Sequence, residues 1–187
     1  RPLPPPPPWR GSPRPAGMAA CFGGVCGGAG PPLSTATIRP VGLVAESLEA
    51  APRVRLLSME AVFSRVPLSA ASYPALAFRL AACDAGVLKA SLATALTVHP
   101  MLAGRLCGRE VVLTNGGVPF TVCDEAGGRA PDDLQEDLLL RFADFRPAQR
   151  VRKGLEPLLT VKLTRFRDGS AVLAMCRSHA LYDGTSA

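Results

Sequence analysis

Apolar positions along this chain of 187 residues recur with two different periods, and the periods separate helices from strands. Leu88, Leu92, Ala95 and Leu96 are spaced i, i+4, i+7 and i+8, which lines them up on one stripe of a helix over about Asp84 to Val98. Pro100 ends that helix, because proline disfavours helical geometry in the residue before it. His99 is thereby left at a helix terminus, where a histidine caps carbonyls or faces solvent. A second helix is predicted to open at Pro131-Asp132-Asp133, with acid in the first turn where the helix dipole favours negative charge. Leu134, Leu138, Phe142 and Phe145 form its apolar face.

Shorter runs read as strands. One is expected from Ser34 to Val44 and another at Val54 to Leu57. Ala75 to Ala82 is apolar enough for either state, and the alternation of Phe78 and Leu80 favours a strand. Val111 to Thr114 and Val118 to Cys123 flank Asn115-Gly116-Gly117, whose tolerance of positive φ predicts a hairpin between them. Leu158 to Phe166 and Ser170 to Cys176 are two further strands, joined at Asp168-Gly169. Ala171 to Cys176 shows no polar alternation, so it is expected to be central and covered on both faces. Mixed strands with amphipathic helices predict an α/β, two-layer domain, a mixed β-sheet covered by helices. No repeat at solenoid spacing interrupts that picture.

Residues 1–33 differ in kind. Pro4 to Pro8 is an unbroken proline run that favours polyproline II, and Cys21 to Gly30 is rich in glycine, so this tail cannot build a core. The glycine stretch is no phosphate loop, since it follows no strand and lacks the Gly-Lys-Ser/Thr ending. The first acidic residue is Glu46. An organellar transit peptide and translated non-coding sequence before Met18 are both open readings of the tail. The foldable domain is expected over residues 34–187.

Composition narrows the function classes. A hydrophobic share of 48% suits a globular domain, and no run reaches the roughly 18 apolar residues of a membrane span; no membrane partner is expected. The net charge of +6 suggests nucleic acid only until aromatic content is weighed. Aromatics make up 5% and the arginines are scattered, whereas base-stacking proteins interleave the two on one surface. A mildly basic, solvated surface follows, with attraction for an anionic substrate as its sharper consequence. The six cysteines include no C-x-x-C pair, and the two histidines are His99 and His179, so a zinc quartet has no support. Reduced intracellular thiols are expected, and with them a cytoplasmic location, a plastid being the alternative.

The candidate chemistry lies at the end of the chain. Cys176-Arg177-Ser178-His179-Ala180-Leu181-Tyr182-Asp183-Gly184 carries an apolar strand into H-x-x-x-D-G. A histidine delivered into a loop by a buried strand is a candidate general base, because neutral imidazole accepts a proton near physiological pH. Asp183 could fix either the loop or the imidazole tautomer, and Gly184 permits a sharp turn. A lone histidine is more often a packed or solvated residue than a catalyst. Cys176 lies three residues from His179, an odd offset that points the two to opposite faces of an extended strand, which argues against a Cys-His nucleophile pair.

Context changes the weight of the motif. Leu88-Lys89-Ala90-Ser91-Leu92, then Pro100-Met101-Leu102-Ala103-Gly104-Arg105-Leu106, then Pro157-Leu158-Leu159-Thr160-Val161 precede it in order. This ordered set resembles the plant BAHD acyl-CoA-dependent acyltransferases over about Pro32 to Ala187. The resemblance implies one half of a chloramphenicol-acetyltransferase-like two-domain enzyme, its carboxy-terminal domain lying beyond this sequence. The D-F-G-W-G segment of that second domain is absent here, since no Gly-Trp-Gly follows Asp144-Phe145.

By the same resemblance, His179 is the catalytic base. Asp183 and Gly184 are structural, and the partners are an acyl-CoA co-substrate and a small-molecule alcohol or amine acceptor. No permanently bound cofactor and no metal are implied, and the cofactor-binding residues are unassigned. Ser178 and Ser186 are not expected to act as nucleophiles. Two alternatives stay open: a condensation-type domain using a carrier-bound thioester, which usually has a second histidine where this chain has Ser178, and a non-catalytic remnant in which His179 and Asp183 serve structure only.

Overall fold

The computed structural model describes residues 32–42, 51–56, 75–134 and 141–181. Strands β1 (Pro32–Ile38), β2 (Arg53–Arg55) and β3 (Ala75–Leu80) precede helix α1 (Ala85–Val98). A single 3-10 turn over Pro100–Ala103 leads to β4 (Arg105–Cys107), β5 (Glu110–Val112) and β6 (Val118–Asp124). Helix α2 (Ala148–Arg152), β7 (Leu159–Arg165) and β8 (Ala171–Arg177) complete the described order. Five strands form a mixed sheet in the order β1-β6-β7-β8-β3, and β2-β5-β4 form a small second sheet. Among the described strands only β6 and β7 run parallel; the other described pairs are antiparallel.

Helix α1 starts where its sequence requires. The Asp84 carboxylate accepts from the backbone N–H groups of Gly86 at 2.6 Å and Val87 at 3.1 Å, relieving two of the donors that a helix start leaves unpaired. Such a cap contributes about 1 kcal/mol. Burial of Leu96, which is fully enclosed, contributes about 1.5–3 kcal/mol, so docking on the sheet outweighs the cap. Leu88 and Leu92 join Leu96 there, against Val118, Phe120, Leu159, Val161 and Leu163. Ala95 does not: it is exposed, because it falls at the margin of the stripe.

The opposite face of the large sheet carries the second core. Val172, Ala174 and Cys176 of β8 pack there with Phe142, Val151, Leu158 and Phe166, and with Leu106 and Val111 of the small sheet. The Phe142 and Phe166 rings meet edge to face, centroids 6.1 Å apart, the arrangement that aromatic quadrupoles favour. Polar residues are enclosed on this side too. Thr160, Lys162 and Thr164 of β7 are all buried, and the Lys162 ammonium reaches the Arg141 carbonyl at 3.4 Å.

Several expectations change. Asn115-Gly116-Gly117 makes its turn, with Gly117 at φ +70°, but does not close a hairpin. The strand before it, β5, pairs with β2 and β4, whereas β6 enters the large sheet between β1 and β7. Turn chemistry reverses the chain locally; burial of Val118, Phe120 and Val122 decides which sheet receives the strand after it. The first strand is Pro32–Ile38, two residues earlier than expected at its start, and a turn at residues 41 and 42 follows it. Strand β8 is internal, but Leu173 and Met175 are only half-buried on the α1 side, so its two faces are not equally covered. In the second expected helix, Asp132 and Asp133 lie in a bend and residues 141 and 142 are helical. Leu138 lies outside the described residues, while Leu134, Phe142 and Phe145 all join one core. The Asp168-Gly169 turn between β7 and β8 is present, Gly169 taking φ +86° and the Asp168 carboxylate accepting from Ser170 N–H at 2.9 Å.

Two measurements check this architecture. A β-carbon added at Gly117 would sit 2.6 Å from the Ile38 carbonyl oxygen on a residue already at positive φ. Gly117→Ala is expected to destabilise the domain by about 1–3 kcal/mol, read as a loss of several degrees in thermal midpoint. Burial also pushes the Cys176 thiol up to about 12, and Cys123 is fully enclosed. Thiol labelling at pH 8 is therefore expected to modify exposed Cys107 quickly and Cys176 and Cys123 only after unfolding, as peptide mapping would show.

Candidate active site

The end of β8 is held by its neighbour. Arg177 pairs with Leu159 of β7, and the ladder runs one step further, Ser178 N–H donating to the Leu158 carbonyl at 2.8 Å. There the chain turns. Leu181 N–H donates to the Ser178 carbonyl at 3.1 Å, and Ala180 N–H donates to Ser178 Oγ at 3.3 Å. Ser178, Ala180 and Leu181 are all buried, the last two in the core that contains Cys176, Leu158 and Phe142. His179, between them, stays half-buried. The residue singled out in the sequence thus occupies the one position of residues 178–181 that is not enclosed.

The floor beside this turn is braced by polar contacts. Thr160 Oγ1 donates to the Asp144 carbonyl at 2.6 Å. Arg146 pairs with Asp144 at 2.7 Å and approaches Glu156 at 3.9 Å, and Arg150 meets Glu156 at 2.8 Å. The first contact holds the segment after Phe142 against β7, and the ion pairs tie that segment to itself. The hollow lined by Asp144, Arg146, Pro157, Leu158, Thr160 and Cys176 has no space for a water molecule, so it is packing rather than a pocket. A groove of about 610 Å³ lies at the other end of β7 and β8, lined by Cys83, Asp124, Arg165 and Gly169 among others. Seven residues of strand separate the ends of β8, roughly 20 Å at about 3.3 Å per residue, so that groove is remote from His179.

Other sequence candidates are placed as follows. His99 is exposed and closes α1, its N–H donating to the Ala95 carbonyl at 2.9 Å. Cys176 offers no thiolate near neutral pH: desolvation raises its pKa, and the nearby Asp144 charge adds to the effect. Asp183, Gly184 and Ser186 lie outside the described residues. Among the described residues no three His, Cys, Asp or Glu side chains group as metal ligands, and no helix is long and apolar enough to cross a membrane. From the sequence, Ser178 stood out only as a serine set aside as a nucleophile and as the place where condensation-type domains usually have a second histidine. Its use of backbone N–H, carbonyl and hydroxyl together had one sequence signal, a serine two residues ahead of a buried alanine, and serine commonly bonds the backbone two residues on.

Comparison with known proteins gives this geometry its setting. A hydroxycinnamoyl-CoA:piscidic acid hydroxycinnamoyltransferase of Actaea racemosa is 34% identical over 112 residues, covering 54% of this chain and 24% of its own length. An anthranilate N-benzoyltransferase of Dianthus caryophyllus is 31% identical over 115 residues, covering 55% of this chain and 24% of its own. The chain thus spans about a quarter of the length of these relatives. Among solved structures, vinorine synthase superposes with a TM-score of 0.55 over 80% of this chain and 38% of its own, at 20% identity. A nonribosomal peptide synthetase reaches 0.50 at 21% identity, covering 81% of this chain and 15% of its own. Both likenesses are of fold, the chloramphenicol-acetyltransferase-like α/β sheet. The Transferase family model matches residues 80–187, more than half of the chain and all of the segment from the end of β3 through H-x-x-x-D-G, and so the chain belongs to that family, the BAHD acyltransferases.

Proposed function

We propose that this chain supplies the base of an acyltransferase that moves an acyl group from acyl-CoA to a hydroxyl or amine acceptor. The observation that carries the reading is the half-buried His179 in a turn whose other described residues are buried, within a matched acyltransferase family. A base must meet both solvent-delivered substrate and a fixed frame, and this position meets both requirements. The relatives carry aromatic acyl groups in their names, hydroxycinnamoyl and benzoyl, so hydroxycinnamoyl-CoA is the first donor to assay.

In this reading His179 Nε2 takes the proton from the acceptor hydroxyl or amine as its oxygen or nitrogen attacks the thioester carbonyl. A tetrahedral oxyanion forms and collapses, breaking the carbon–sulfur bond. The departing CoA thiolate takes the proton from the imidazolium, which returns the base to its starting state. No acyl-enzyme is formed, and Ser178 and Ser186 take no covalent part. Asp183 and Gly184 are assigned structural rather than chemical roles in the motif. A half-enzyme cannot complete the step alone, because the acceptor and the oxyanion donor must be held in near-attack geometry with the base; those contacts are assigned to a further domain.

In a full-length enzyme carrying this chain, His179→Ala is expected to lower kcat by about 10²- to 10⁴-fold, the cost of losing a positioned general base, while donor affinity measured by titration changes little. Turnover at the parent rate would remove the assignment. Residues 1–187 alone are expected to release no CoA above background from hydroxycinnamoyl-CoA with alcohol or amine acceptors in a thiol-detection assay. Steady turnover by the purified monomer would overturn the two-domain reading.

A further inference from the structure

The described geometry singles out Ser178 by the number of contacts that one small residue makes. Its N–H extends the β7–β8 ladder to Leu158 at 2.8 Å and its carbonyl accepts from Leu181 at 3.1 Å. Its hydroxyl accepts from Ala180 N–H at 3.3 Å. Ser178 is 3% exposed and Ala180 is fully buried. An Ala180 N–H left without this partner would lose a hydrogen bond in a place where water cannot replace it. The three contacts bracket His179 on both sides: one fixes the strand that enters the turn, and two fix the chain that leaves it.

We propose that Ser178 is a positioning residue for His179, its hydroxyl fixing the turn that aims the imidazole at the acceptor. The inference rests on the general-base reading of His179. Ser178 does not touch substrate and transfers no proton; it sets the angle at which His179 leaves the sheet. A small misaim of a catalytic group costs rate far more than it costs binding, since a shift of about 1 Å can remove about 100-fold. Alanine keeps both backbone contacts and deletes only the hydroxyl. Threonine keeps the hydroxyl and adds a methyl group, and so tests for the oxygen itself.

In the full-length enzyme Ser178→Ala is expected to lower kcat by about 10- to 100-fold with KM for acyl-CoA and acceptor changed less than about twofold, and Ser178→Thr to recover most of the loss. In a His179→Ala background Ser178→Ala is expected to cost nothing further, because an aim without a base has no effect. On residues 1–187, amide hydrogen exchange at Ala180 is expected to quicken in Ser178→Ala while exchange in β7 is unchanged, which separates loss of the turn from loss of the fold. If His179→Ala turns over at the parent rate, the base reading fails and Ser178 falls with it. If His179→Ala is inactive but Ser178→Ala keeps the parent kcat, or adds its loss equally in both backgrounds, the positioning role alone is overturned.

Discussion

The parallel pairing of β6 with β7 is the constraint on which the rest of this domain depends. Two parallel neighbours cannot be joined by a tight turn; the chain must cross a face of the sheet and return. Here the connection runs from Glu125 to Leu158 between the paired strands. It brings Phe142, Val151 and Leu158 onto the face of Val172, Ala174 and Cys176, where they close the second core. It also delivers the Leu158 carbonyl to the end of β8, where Ser178 N–H finds it. An antiparallel β6–β7 pair would need no such crossing and would leave the histidine turn without its floor.

That crossing explains why a polar strand can be buried. Thr160, Lys162 and Thr164 alternate with Leu159, Val161 and Leu163, a pattern that ordinarily marks one solvated face. The crossover covers that face instead, and it brings acceptors with it: Arg141 offers its carbonyl to Lys162 and Asp144 offers its carbonyl to Thr160. Burying such groups without partners would cost several kcal/mol. The bonds that satisfy Thr160 and Lys162 also tie the crossover down beside the candidate base, whereas Thr164 Oγ1 is buried without a hydrogen-bond partner among the described residues.

At the site itself, enclosure and access are divided residue by residue. Ser178, Ala180 and Leu181 are enclosed and His179 is half-buried. A side chain held by a fixed frame yet reachable from outside suits proton transfer, whereas the deeply buried Cys176, its thiol pushed up to about 12, suits packing. At Cys176 burial is the largest cause of that rise, and the Asp144 charge adds to it.

Much was legible in the chain because it is encoded locally. The stripe of Leu88, Leu92 and Leu96 specifies α1, the alternation at Phe78 favours β3, and Asp168-Gly169 makes its turn wherever the flanking strands go. The ordered motifs ending in H-x-x-x-D-G carried the family. These features depend on neighbours within a few residues, so a single sequence contains them in full. What Asn115-Gly116-Gly117 connects was not legible, since a turn reverses the chain without naming the strand it will meet; burial of Val118, Phe120 and Val122 among β1, β7 and α1 sent β6 to another sheet. The covering of Lys162, the uneven cover of Leu173 and Met175 and the bond from Ser178 N–H to the Leu158 carbonyl were likewise decided by tertiary structure. Each depends on a residue far away in the chain, and only the folded sheet brings the two together.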